Sequence, residues 1–553
     1  MKRHKMLLNL ILLIVANKIM AASSVDYRSQ PFVFPLESEN LIVTDTNGDG
    51  LRELITLIDR SIRVYFQDEK GFDFESGYRD IELPGSAVGW DISTNYGQND
   101  HASIIALIDG HEVLAWHIID GDTISLPESI ITGLPGFLSS GVNRLHFSRD
   151  INGDSLEDLI IPGTGNLHLY ITNGNGIYES GLSINSESRL RTELSGELER
   201  RTGQAIRIPV MELRDVNGDG ANDLISQTDE RLDVFIANRA ANAYFPMTPS
   251  YSLDIAEIEE RLGEFDIDNL DFSNLTGLLA LTHEEVLDDV NGDGIEDLLL
   301  REGGKVSLFE GTTNGMELTQ PKQVLRSGGN VLSTFLYDEN EDGLKDLWIW
   351  RVEPISVGDI FIWLALSGSI AIEAFIYPNE GERFSRRPTR KLTIELQFPS
   401  VIRLATSFQE LAEEVREMQS VGLTPTNKAN VDNNLDGDDL LVLVNNQVQI
   451  FLNSIEPQDS STTFLGGLGY ARDKDDYTIN IRNLIENISI TENLRLASVD
   501  GITADLSIEL DTVVKNGDII PALLNADSID DIFVFTQHDN SNIQGILLLS
   551  KQE

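Results

Sequence analysis

The 553-residue chain contains no cysteine, which excludes a disulfide framework, a thiolate metal site and a lipid-modified cysteine anchor. Positive charge is scarce: 41 Lys and Arg stand against 90 Asp and Glu, a formal charge of −49 that repels nucleic acid and anionic membrane. Long apolar runs are missing beyond the first 22 residues. There Lys2, Arg3 and Lys5 precede the stretch MLLNLILLIVA and the small residues Ala21 and Ala22, the layout of a secretory signal peptide. Asn17 and Lys18 end the run before it comfortably spans a bilayer. The expectation is therefore a signal peptide at 1–22 and an exported mature chain, periplasmic or extracellular, with no stable membrane insertion. Residues 1–22 hold four Lys or Arg and no acid, so cleavage near Ala22 takes the formal charge from −49 to −53. In an exported chain without disulfides, bound metal is the natural replacement cross-link.

What the chain does have is a repeated acidic nonapeptide: DTNGDGLRE at 45–53, DINGDSLED at 150–158, DVNGDGAND at 215–223, DVNGDGIED at 289–297 and DENEDGLKD at 338–346. Each places Asp, Asn, Asp and Asp or Glu at positions one, three, five and nine. Alternating oxygens on a tight loop, with a main-chain carbonyl near position seven, suit a hard divalent cation that accepts six or seven oxygens. Calcium tolerates such a cage, magnesium prefers a strict octahedron, and zinc or copper would want the His or Cys these loops lack. Gly at position six, replaced by Ser155 in the second copy, permits the sharp turn. The competing reading is a set of Asn-Gly turns with solvated acids. An EF-hand or dockerin would need an acid at position twelve, where Thr56, Ile161, Ser226, Leu300 and Ile349 stand.

The flanks read as strands, NLIVTD before the first loop and ELITLI after it. An aromatic follows twenty residues after the first Asp in four copies: Tyr65, Tyr170, Phe235 and Phe309. A weaker loop, DNNLDGDDL from Asp432, keeps Asp432, Asn434 and Asp436 and is expected to be one residue short, with Phe451 as its aromatic. Two further units, NYGQNDHASI at 95–104 and LNADSIDDI at 524–532, read as degenerate. The latter keeps Asn525, Asp527 and Asp531 but has Leu523 at the first place.

This pattern of strand, metal loop, strand, turn and aromatic resembles the FG-GAP or VCBS repeats of integrin-α-like β-propellers over most of residues 35–553. The resemblance implies an all-β propeller over 23–553, with seven or eight four-stranded blades. Eight is the preferred count; seven follows if the N-terminal strand completes the last blade. It also implies calcium ligands at Asp45, Asn47, Asp49 and Glu53; at Asp150, Asn152, Asp154 and Asp158; and at Asp215, Asn217, Asp219 and Asp223. Further sets are Asp289, Asn291, Asp293 and Asp297, then Asp338, Asn340, Asp342 and Asp346. Five Ca2+ sites result, with a sixth in question at Asp432, Asn434 and Asp436. Helical spacing marks insertions near 254–286 and 403–421. The basic stretch ERFSRRPTRK at 382–391 could meet an acidic partner or glycan, or form a solvated hairpin.

For function, the leading expectation is a non-catalytic module that binds a protein or polysaccharide for adhesion or scaffolding. The alternative is a secreted polysaccharide lyase or hydrolase, for which His101, His111 and His117 are the sole hint. No Gly-x-Ser-x-Gly elbow, His-Glu-x-x-His helix or phosphate-cradling loop is present.

Overall fold

Short strand-forming segments separated by turns produce, among the described residues, eight mainly antiparallel sheets of four or five strands in chain order, with three two-stranded ribbons beside them. The computed structural model describes residues 26–551 except 36–38, 95–100, 120, 137–141, 164, 173–177, 179–180, 195–199, 208, 240–242, 265–270, 401–423, 435–436, 445, 456–468, 481–498, 500, 512–513, 515–516 and 538–541. The expected signal peptide and the 403–421 insertion lie outside the described residues.

Sheet I comprises Glu39–Thr44, Glu53–Ile58, Ser61–Tyr65 and Tyr78–Glu82. Sheet II comprises Ala87–Ser93, Ser103–Ile108, Glu112–His117 and Glu128–Thr132, with Asn143–Arg144 added in parallel beside the first strand. Sheet III holds Ser148–Arg149, Asp158–Pro162, Asn166–Tyr170 and Leu182–Asn185; sheet IV holds Val210–Arg214, Asp223–Gln227, Arg231–Phe235 and Tyr251–Asp254. Sheet V holds His283–Asp288, Asp297–Glu302, Lys305–Phe309 and Gln323–Arg326. Sheet VI holds Asn330–Tyr337, Asp346–Val352, Gly368–Tyr377 and Arg390–Phe398, with Asp476–Asn480 added in parallel. Sheet VII comprises Thr426–Ala429, Asp438–Val444, Gln447–Ile455 and Leu506–Glu509.

Sheet VIII is built from both chain ends. Asp518–Ala522, Asp531–Gln537 and Asn542–Ser550 are joined by Tyr27–Pro35, which runs antiparallel to Asn542–Ser550 from Tyr27 opposite Ser550 to Pro35 opposite Asn542. The N-terminal strand thus completes the last sheet without lowering the sheet count, because sheet I has four strands of its own.

The second strand of each sheet is apolar on both sides. In sheet V, Leu298 and Leu300 pack toward sheet IV, whereas Leu299 packs toward sheet VI. A period-two strand that alternates between two neighbours is buried throughout, and Asp297–Glu302 is. Such shared cores join I to II, II to III, III to IV, IV to V, V to VI, VII to VIII and VIII to I. Within the 254–286 stretch, α1 runs Ile255–Leu262 and a 3-10 helix runs Leu275–Leu281. A second helix, α2, Val357–Ala365, had no counterpart in the sequence reading. No helix among the described residues is long and apolar enough to cross a membrane.

Candidate metal loops

The acidic nonapeptides occupy one place in the topology: each joins the first and second strands of its sheet, in I, III, IV, V and VI. Their local folding is dictated by the Asx side chains. In sheet IV the Gly218 and Gly220 N–H groups donate to Asp215 at 2.8 and 2.7 Å, Asp219 N–H donates to Asn217 at 3.1 Å, and Ala221 N–H donates to Asp219 at 2.8 Å. The loop of sheet I repeats this with Gly48 and Gly50 on Asp45 and Asp49 on Asn47. Positions four and six both take left-handed backbone, as at Gly218 (φ 75°) and Gly220 (φ 82°). Ser155 (φ 69°) and Glu341 (φ 60°) are forced into the same region without glycine. The need at position four was not read from the sequence, although four of the five copies carry Gly there.

Position five is exposed in all five loops and position one is half-buried. Position nine is different: Glu53, Asp158 and Asp223 are fully buried, and Asp297 and Asp346 nearly so. Its carboxylate ties two parts of the chain together. Asp158 accepts from the Ile151 and Thr172 N–H groups at 3.0 and 2.7 Å. Asp223 accepts from Val216 and Ala237 at 2.9 and 2.7 Å, and Asp297 from Val290 and Gly311 at 3.3 and 2.8 Å. Asp346 accepts from Glu339 and Asn379 at 3.2 and 2.8 Å. One donor is always the position-two amide; the other lies just beyond the third strand. Glu53, one methylene longer, takes both the N–H and the hydroxyl of Thr46 at 2.7 and 2.6 Å and leaves its buried Oε1 without a partner.

Burial pushes the carboxyls of Glu53 and Asp158 up to about 7 and that of Asp297 up to about 6, with repulsion from the loop's other acids adding to it. Asp223 and Asp346 are raised for the same reason. The spaced aromatics fix the register above this clamp: Leu54, Leu159, Leu224 and Leu298 pair with Tyr65, Tyr170, Phe235 and Phe309.

The same signature corrects the register expected for the loop of sheet VII. Asp439 accepts from Val431 at 2.7 Å and from Asn453 at 2.8 Å, and Asn434 N–H donates to Asp432 at 2.9 Å. Val431, 1% exposed, therefore stands where Val216 and Val290 do, at position two. Asp432 falls at position three, Asn433 takes the left-handed backbone of position four (φ 55°), and the loop is one residue longer rather than shorter. Phe451 still pairs with Leu440, directly after Asp439. Counting from the first Asp hid the shift because Asn430 replaces the leading acid. Asp436 lies outside the described residues. In sheet VIII Asp531 accepts from Leu524 and Ser550 at 2.8 and 2.7 Å, so the clamp survives where the first acid is missing. In sheet II Ser103 takes the clamp position, with Trp116 opposite Ile104 and His117 Nδ1 2.8 Å from the Ser103 hydroxyl.

The donor set of positions one, three and five, all Asp or Asn oxygens, fits calcium and no softer metal. With position nine turned inward onto backbone amides, no group of three or more His, Asp or Glu side chains is gathered around a common point among the described residues. The three histidines do not converge either. His111 Nδ1 lies 2.7 Å from the Leu134 carbonyl oxygen, while His117 sits at the other end of the strand Glu112–His117. In the basic stretch, Arg390 bonds Glu339 and Asp475, and Lys391 pairs with Glu373.

No protein-family model matches the chain, and no curated protein does. Solved structures with some similarity include a lectin of Agrocybe aegerita described as recognising non-reducing terminal N-acetylglucosamine. It is 15% identical, covers 65% of this chain and 81% of its own, and has a TM-score of 0.27. The Photorhabdus luminescens Tc holotoxin pore is 11% identical over 65% of this chain and 18% of its own, with a TM-score of 0.20. BBS1N, in complex with ARL6DN, is 7% identical over 95% and 98% of the two chains, with a TM-score of 0.21. Likenesses this low carry no argument about this chain.

Proposed function

We propose that the eight sheets are the blades of an eight-bladed, integrin-α-like β-propeller, and that the chain is an exported, non-catalytic binding or scaffold module stabilised by calcium. One observation carries this reading: five oxygen-rich loops of identical spacing occupy the same strand junction in five sheets. Shared cores between neighbouring sheets, and a last sheet completed by the N-terminal strand, support a ring. Among the described residues only sheets VI and VII lack such a core between successive sheets.

In this reading Asp45, Asn47 and Asp49, with their counterparts in the other four loops, hold Ca2+ while the ninth acids brace the loops from beneath. Weak affinity, Kd about 10⁻⁴–10⁻³ M, is sufficient outside the cell, and an ion bound by the folded state adds stability by mass action. Protein or polysaccharide is the expected ligand class, and the divergent histidines give the lyase or hydrolase alternative no support. Thermal unfolding of the mature chain in calcium, in magnesium and in chelator tests the proposal. A calcium-selective rise in midpoint is expected; equal midpoints in all three, with no ion retained in native mass spectra, would reduce the loops to acidic turns.

A further inference from the structure

The two helices differ in how they meet their surroundings. In α1, Ile255 and Ile258 are buried while Glu257, Glu259, Glu260 and Arg261 face solvent, the ordinary division of an amphipathic helix. The sequence of α2, VGDIFIWLA, contains one charged residue, Asp359, which closes a capping box with Ser356. Trp363 anchors this helix, with its ring edge-on to Phe398 at 5.0 Å and lying so close over Gly368 that a Cβ there would meet it at 2.2 Å. Ile360, Phe361, Ile362, Leu364 and the following Leu366 are instead exposed, Phe361 to 68%. Phe272, 61% exposed, joins them, because the Val357 N–H donates to the Phe272 carbonyl at 2.9 Å and the Leu275 N–H to the Ile355 carbonyl at 2.7 Å. A helix that is apolar all round is normally buried, and a contiguous exposed apolar patch marks a contact surface.

Charge says what covers it. Beside Trp363 and Phe398 a cleft of about 760 Å³ is lined, among the described residues, by Glu353, Asp359 and Glu395 and by no Lys or Arg. A second copy, with its own formal charge of −49, would be repelled from this acidic rim. A cationic partner would be steered toward it. We propose that α2 docks a partner protein through a helix that is apolar on one face and edged with lysine and arginine. Because α2 connects the second and third strands of sheet VI, this surface lies at the end of the sheet opposite the acidic loop. The proposal names the partner chemistry of the binding-module reading but does not depend on calcium.

Titration calorimetry of the mature protein with a helical Leu/Lys amphipathic peptide, and with a Leu/Glu peptide of the same pattern, tests it. Binding of the Leu/Lys peptide alone is expected, weakening as salt rises. F361S, which leaves every charge in place, should weaken it at least tenfold, and E395K should weaken it without altering the patch. Undiminished binding to F361S would reduce the effect to bulk charge attraction and overturn the proposal. So would equal binding of the Leu/Glu peptide, F361S-sensitive binding to phosphatidylcholine vesicles, or an F361S-sensitive dimer in sedimentation. The calcium-dependent unfolding midpoint, recorded on the same samples, reports separately on the propeller reading. F361S should leave it unchanged, because Phe361 is exposed.

Discussion

Asp297 accepts the backbone N–H of Gly311 at 2.8 Å across fourteen residues of chain, and it is 2% exposed. The pair joins the start of the second strand of sheet V to the turn beyond its third, and equivalents recur at Asp158–Thr172, Asp223–Ala237 and Asp439–Asn453. The ninth acid of the motif is therefore a brace in its own right, distinct from the exposed acid at position five.

That distinction separates two substitutions. In chelator, Asp297→Asn places an amide against one of two buried N–H donors and should cost about 1–3 kcal/mol. Asp293→Asn alters an exposed side chain that serves the Ile295 N–H and should stay within about 0.5 kcal/mol. Adding calcium should raise the midpoint of wild type more than that of D293N. Denaturant midpoints of both variants, with and without calcium, measure this.

Asp531 gives a pH dependence. Burial, followed by repulsion from Asp527, pushes its carboxyl up to about 6, whereas an unfolded Asp releases its proton near 3.9. Between those values the folded state binds more protons than the unfolded one. Its contribution to stability is therefore present at about pH 4 and is lost as pH rises to about 6. Asp531→Asn should lower stability throughout and shrink the difference between chelator-treated samples at pH 4.5 and pH 7. Urea denaturation at the two pH values is the measurement.

Ser155 holds φ 69° where the other loops of sheets I, IV, V and VI have Gly at position six. Left-handed backbone costs a side chain about 1–2 kcal/mol, and glycine's looser unfolded state offsets part of that. Ser155→Gly should therefore stabilise by less than about 1 kcal/mol, seen as a small rise in melting temperature.

Phe34 tests the joining of the chain ends. It is 5% exposed, with its ring 5.4 Å from Tyr65 in sheet I and 5.5 Å from Phe74. Phe34→Ala should cost about 3–5 kcal/mol. Asn542–Ser550 should lose amide protection in hydrogen exchange along with it, because Tyr27–Pro35 covers its outer edge in sheet VIII.

The sequence alone determined the strand and loop alternation, the all-β class and the acidic nonapeptides at a common junction. Period-two apolarity and Asx-Gly turns are local properties, written in neighbouring residues such as Asn217 and Gly218. What tertiary structure decided was long-range. The inward turn of Asp223 depends on Ala237, the two-residue shift of Asp432 on the burial of Val431, and the clamp at Asp531 on the distant Ser550. The exposure of α2 is likewise a matter of what, among the described residues, fails to pack upon it: VGDIFIWLA reads equally as a buried strand or helix, because periodicity cannot separate short, mostly apolar runs. A hydrogen bond between residues fourteen or nineteen apart leaves no periodic mark, since only the folded sheet brings its donor and acceptor together.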